Sequence, residues 1–393
     1  MRYFELYKTN VAYIYLFSFM LFFKQAMPTI ITPTIVFIVF TFYLIITKPP
    51  KIFNQLVVFN VIFILLNLFS ILDSGRIAII NTMINNLIYI VIFTTIIKNR
   101  KDIDNTIFSF TLFGTLQCIF LYYKYGDLLG YGRFGEDMDD TTFSAITLSY
   151  YIVISLISSL IMLYCNKNKR IKLLSIVCIA IILTIALFTG SKKAIITPVL
   201  FVVVYNFIKN GKNFIKLVLS LLIIVVLLSY IWNYVKEIDL LQRNFVDRFE
   251  SFFLMITGDT RIEDESTKER LKFIPYALSL FYNNPLFGTF GLGYAVELYL
   301  KNINVNHPHN TYLEILAGTG IIGFFIYYGV IIKILYGLKR IIYDNYAMIL
   351  VSVMLAILFN QFNSQSYNVP VLNVYFSIAY SYLIIKKNEN TVG

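Results

Sequence analysis

An all-α, polytopic membrane protein of about 12 crossings is the fold class this sequence predicts, and three observations predict it. Only 14% of the 393 residues are charged while 58% are apolar, with 36 Phe and 30 Tyr. A soluble chain of this length needs far more charge to cover its surface. The apolar residues fall in runs of about 18 to 22, the length that crosses a hydrocarbon core of about 30 Å. The basic residues, finally, crowd between alternate runs.

Taken in order, the runs predict helices over 11–23, 29–47, 54–72, 77–97, 105–124, 143–164, 171–189, 193–208, 214–235, 311–332, 345–361 and 367–385. The first, behind MRYFELYKTN, resembles a signal peptide only in outline; no A-x-A site follows, so it reads as a retained helix. Most of the length is used in crossings, which predicts a single membrane domain over 1–393. Cys118, Cys165 and Cys178 are isolated, with neither metal-type spacing nor a disulfide framework.

An even number of crossings puts both termini on one side, and the positive-inside rule says which. The terminal side collects 19 of the 33 basic residues against 5 of the 22 acids, so both termini are expected on the cytoplasmic side. The net charge of +11 is thus a topology signal, and nucleic-acid binding is not needed to explain it.

The large loop, 236–310, is expected outside the cytoplasm, along with GDLLGYGRFGEDMDDTT (126–142) and the tight connection TGSKKA (189–194). Loops this long in a compact protein usually carry function. Within the large loop ERLKFIPYALSLFYNN reads as an amphipathic helix suited to the bilayer surface. It ends at NNPLFGTFGLGY, where Asn, Pro and Gly mark a turn. Gly291 and Gly293 do not make a dinucleotide fingerprint, because no strand precedes them.

Thr311-x-x-Glu314 ahead of an apolar run reads as a capping box that starts the next helix. Gly318, Gly320 and Gly323 predict a small face for close approach of neighbouring helices. His307 and His309, the two histidines of the chain, precede that helix start. A helix N-terminus disfavours imidazolium and keeps His309 neutral, as a general base must be. The same end attracts phosphate, which suits transfer from a phosphate-activated donor. Interfacial His and Asn also serve simply to cap a helix, and a His-x-His metal site is a third reading that lacks further ligands.

Cations outside the membrane complete the case. Lys192 and Lys193 stand at the mouth of a tight turn, where a lysine is expensive unless it snorkels or pairs. Arg243, Arg248, Arg261 and Arg270 lie in the large loop and Arg133 in the smaller one. For Arg261, amid Asp259, Glu263, Asp264 and Glu265, a solvated surface charge is the better reading.

His309-Asn310, nine residues, then Gly320-Ile321-Ile322-Gly323 resembles the motif of the O-antigen ligase and O-antigen polymerase superfamily. NNPLFGTFGLGY, TGSKKA and RFGEDMDDTTFSA resemble further stretches of that family, together covering about residues 130–330. The resemblance implies a C-type glycosyltransferase fold that moves a glycan from a polyprenyl-diphosphate carrier to an acceptor outside the membrane. It implies that His309 is the base and that Arg270, with Arg248 as the alternative, holds the diphosphate. Lys192 stands where the family has an arginine, which keeps the charge but loses the bidentate fork. Arg133 and Asn310 join the diphosphate- and glycan-binding set. No cofactor and no metal is implied; the partners implied are the lipid-linked oligosaccharide, membrane lipid, a chain-length regulator and a flippase. A repeat-unit polymerase is the preferred reading, a ligase the nearest alternative. A transporter needs charge along a mid-membrane path, and the crossings carry little.

Overall fold

The computed structural model describes residues 2–23, 31–47, 54–74, 77–126, 145–211, 213–238, 241–242, 246–247, 250, 265–289, 310–363 and 369–392. Most of these residues are helical, and no strand occurs among them. The helices are α1 (Arg2–Phe23), α2 (Ile31–Thr47), α3 (Gln55–Ser74), α4 (Ile77–Ile96), α5 (Arg100–Tyr125), α6 (Ala145–Cys165) and α7 (Lys169–Phe188). They continue with α8 (Lys192–Asn210), α9 (Phe214–Lys236), α10 (Glu265–Asn283), α11 (Thr311–Arg340), α12 (Asn345–Asn360) and α13 (Pro370–Val392). Every apolar run therefore forms a helix. Several helices outrun their apolar stretch, notably α1, α5, α11 and α13, because helical hydrogen bonding continues past the point where hydropathy falls.

Among the described residues five helices are long and apolar enough to cross a membrane: Arg100–Tyr125, Thr147–Cys165, Lys169–Phe188, Lys192–Asn210 and Thr311–Arg340. Asn10–Phe23, Ile35–Thr47, Gln55–Leu68, Ile80–Ile96 and Asn345–Asn360 are shorter apolar helices.

The chain divides into two compact units, the first comprising Met1–Val36, Lys101–Asp264 and Tyr343–Ala356. Here α6 packs on α7 and α8, and α8 on α9. Some polar side chains inside this unit bond from helix to helix, as an apolar surrounding favours. Ser109 Oγ donates to Ser18 Oγ at 2.7 Å, and Gln117 Nε2 to the Phe22 carbonyl at 2.7 Å. Helix ends expected on one side of the membrane do meet: Tyr205 Oη donates to Asn345 Oδ1 at 3.2 Å, and Tyr346 bonds Asp104.

The second unit comprises Phe37–Arg100, Glu265–Ile342 and Ile357–Gly393. In it α11 packs on α3, α10 and α13, and α4 on α3 and α13. Arg100 and Glu389 pair at 2.9 Å, again joining ends expected to share one side. A column of rings runs through this unit: Phe362 lies 4.6 Å from Tyr312, Tyr312 stacks 4.9 Å from Tyr328, and Phe324 lies 4.6 Å from Tyr328. Tyr328 Oη donates to Gln361 at 2.8 Å and Tyr312 Oη to the Leu358 carbonyl at 2.8 Å.

Candidate functional site

Two structural features carry the residues that the sequence singles out, one in each unit. The first is the Thr189–Lys193 turn between α7 and α8. Gly190 takes φ 57°, a left-handed conformation that closes α7 with the Gly190 amide on the Leu187 carbonyl at 3.1 Å. Thr189 Oγ1 donates to the Ala186 carbonyl at 2.7 Å and accepts the Ser191 amide at 3.3 Å, which fixes the turn from inside. Ser191 is the N-cap of α8 and its side chain makes no cap hydrogen bond. Lys192 and Lys193 follow in the first turn, both half-buried.

Two cations at the positive end of a helix are electrostatically misplaced, and an anion bound there would correct this. The two lysines are not equivalent. The Lys193 ammonium lies 3.5 Å from the centre of the buried Tyr150 ring, a cation–π contact between residues 43 positions apart that no local pattern announces.

The start of the large loop is anchored beside this turn. Val235, Leu241 and Val246 bury against Leu187, Phe188, Ile195 and Ile196, which flank the turn on both sides. Lys236 and Glu250 pair at 2.6 Å and bracket the segment.

The second feature is α11 and what docks on it. Asn310 is the N-cap, with φ −138° and ψ 106°, and its Oδ1 accepts the Leu313 amide at 3.1 Å. The cap is therefore one residue earlier than the Thr311-x-x-Glu314 box suggests: Thr311 is the first helical residue, and the Glu314 amide bonds the Asn310 carbonyl at 3.0 Å. An asparagine outranks a threonine as a cap, and here it stood next to the one that fitted the pattern.

Nor is α11 continuous. Gly320 has φ 62° and ψ −167°, outside helical space, and splits α11 into two segments. The break is filled by the turn that follows α10. The Ile321 amide donates to the Pro285 carbonyl at 2.9 Å and the Ile322 amide to the Leu286 carbonyl at 3.3 Å; the Thr289 amide donates back to the Ala317 carbonyl at 3.0 Å. A Cβ at Gly320 would lie 2.3 Å from the Leu286 carbonyl oxygen, and one at Gly288, φ 61°, would lie 2.4 Å from that of Ala317. The predicted small face is thus occupied by a turn of the backbone rather than by a neighbouring helix, and Gly323 is covered by Thr319 of its own helix.

This docking fixes the direction of α10. Its C-terminal turn meets residues 317–322, while Phe273, Ala277 and Leu280 pack on Leu313 and Ala317. It therefore runs parallel to the first segment of α11, with Phe273, Ala277 and Leu280 packed against protein while Ile274, Tyr276 and Tyr282 stay exposed. Arg270 is about 15 Å along the axis before Leu280 and Asn310 about 10 Å before Ala317, so both helices start toward the same end.

Of the residues expected to act, Lys192 and Asn310 are placed as above and Arg270 is placed by its backbone in α10. His309, Arg133 and Arg248 lie outside the described residues. Among the described residues no cluster of His, Cys, Asp or Glu could hold a metal.

No curated protein matches the chain closely enough to be named as a relative. A family match does exist, and it spans both features, from within α7 through the break in α11. Residues 177–328 match the family model described as O-antigen ligase, so the chain is a multi-pass membrane protein similar over that stretch to the O-antigen ligase and polymerase superfamily.

Proposed function

We propose that this protein is a membrane glycosyltransferase that polymerises polyprenyl-diphosphate-linked oligosaccharide repeat units of a surface polysaccharide on the extracytoplasmic face. The observation that carries this reading is the parallel docking of α10 on α11, which starts both helices toward the end where Asn310 follows His309 in the chain. Helix starts favour anions and a neutral imidazole, the two states the reaction needs.

In the proposed reaction His309 takes the proton of an acceptor hydroxyl as its oxygen attacks the anomeric carbon. The bond from that carbon to the diphosphate oxygen breaks, and the lipid diphosphate leaves with the electron pair. Lys192, Arg270 and Arg133 stabilise its charge, with Arg248 the alternative to Arg270. Attack opposite the leaving group inverts the anomeric centre. The fixed cations take the part a metal ion plays elsewhere.

Ligation of finished glycan onto a lipid core or protein is the second reading, favoured by the description of the matching family. One experiment tests both: purified protein in nanodiscs, without a gradient, given polyprenyl-diphosphate oligosaccharide with or without a separate acceptor. Polymerisation yields a ladder of lipid-linked products from the donor alone, whereas ligation yields product only when the acceptor is present. His309→Ala is expected to lower either rate by about 10²–10⁴-fold. Turnover unchanged in that variant would overturn the proposed mechanism.

A further inference from the structure

We propose that the Pro285–Gly288 turn and Gly320 form a positioning clamp that aims the start of α11 at the reacting hydroxyl. The proposal rests on the reading of His309 as base, and Gly288, Gly320 and Ile321 are its positioning residues.

In an unbroken helix the Ile321 and Ile322 amides would donate to the Ala317 and Gly318 carbonyls. Here Pro285 and Leu286 take those amides, and Thr289 supplies an amide to Ala317. One short turn thereby serves groups released on both sides of the break. In an apolar surrounding each such group left unpaired costs several kcal/mol, so the two segments of α11 cannot swing independently while the turn is docked.

The docking is tight because neither approaching backbone has a side chain in the way. Cβ atoms at positions 288 and 320 would meet backbone atoms of the opposite partner at 2.4 Å and 2.3 Å, and backbone cannot yield as a flexible side chain does. The stripe of Phe273, Ala277 and Leu280 on Leu313 and Ala317 then holds the first segment along its length.

The consequence is leverage. The first segment, residues 311–319, is about 13 Å long, so a tilt of about 5° at the break displaces its start by about 1 Å. Misplacing a catalytic group by about 1 Å costs on the order of 100-fold in rate. The clamp acts through the residue that precedes the Asn310 cap and need not touch substrate.

The test uses full-length protein in nanodiscs, with Ile321→Pro as the mild variant and Gly320→Ala as the severe one. Proline suits the first position of a helical segment and removes only the amide that bonds Pro285. Amide hydrogen exchange is read first, without substrate. Residues 321 and 322 are expected to be protected in wild type, with protection at 322 falling at least tenfold in both variants. Turnover per folded protein is read second, with an expected fall of at least tenfold in kcat and donor KM within about twofold. The acid limb of the pH–rate profile, owed to His309, flattens as it does in His309→Ala; mere loss of folded protein scales the profile without changing its shape. Unprotected amides in wild type overturn the clamp. Lost protection with an unchanged kcat and acid limb overturns its positioning role. Full turnover in His309→Ala sinks the base instead, and the exchange readout still decides the clamp.

Discussion

The amide of Ile321 donates to the carbonyl of Pro285 at 2.9 Å across the break that Gly320 makes in α11. Residues 36 positions apart in the chain thus complete each other's backbone hydrogen bonding. The two glycine-bearing motifs of the sequence, NNPLFG and Gly-x-x-Gly, are two halves of one contact.

Stability should follow from that contact. Gly320→Ala combines a conformation open to glycine alone with a collision at 2.3 Å, and should cost about 2–4 kcal/mol. Pro285→Ala keeps the accepting carbonyl and should cost less than about 1 kcal/mol. Thermal unfolding in nanodiscs compares the two, and an equal fall in Tm would count against the contact.

Asn310 combines an observed capping role with a proposed substrate role, and substitutions separate them. Asn310→Ala removes the acceptor for the Leu313 amide and should destabilise by about 0.5–2 kcal/mol. Asn310→Asp caps equally well but places an anion where the donor diphosphate is expected. Its Tm should match wild type while donor KM rises at least tenfold. An unchanged KM in Asn310→Asp would leave Asn310 as a cap alone.

The two lysines of the α8 start should respond differently. Lys192→Ala is expected to raise donor KM or lower kcat by at least tenfold, with Lys192→Arg retaining most activity because charge is what the site needs. Lys193→Ala removes a contact 3.5 Å from the Tyr150 ring and should lower stability by about 0.5–2 kcal/mol. Steady-state kinetics and thermal unfolding on the same preparations distinguish the two roles.

Glu389 gives a pH prediction at the end of α13, beyond its apolar stretch. Hydrogen bonding from Arg100 holds its carboxyl below the usual value of 4.5. A depressed carboxyl contributes stability that is fully present above its unfolded value and is lost as pH falls through the lower folded value. Hydrogen-exchange protection over residues 386–391, taken relative to the intrinsic exchange rate at each pH, should therefore fall on acidification below 4.5 in wild type. In Glu389→Gln protection should be low throughout, with no such transition.

The helices and their order were written in the chain itself. Runs of apolar residues long enough to cross a membrane have few alternatives, because every backbone amide in hydrocarbon needs an internal partner. The Thr189–Lys193 turn was equally legible, since a Gly-Ser pair between apolar runs leaves no room for anything longer. Asn310 was visible in the motif, but its role as cap was not: Thr311 fitted the same local pattern, and only the backbone dihedrals decide between adjacent candidates.

Tertiary structure alone decided the rest. Nothing local distinguishes a glycine that eases helix packing from one that breaks a helix. The difference at Gly320 is supplied by Pro285 and Leu286, which take the released amides. Likewise the amphipathic stripe of α10 fixes that one face is buried but not what covers it, and the cover proves to be Leu313 and Ala317. Periodicity reports which groups must leave water or find a hydrogen bond, whereas the identity of the partner depends on contacts between segments far apart in sequence.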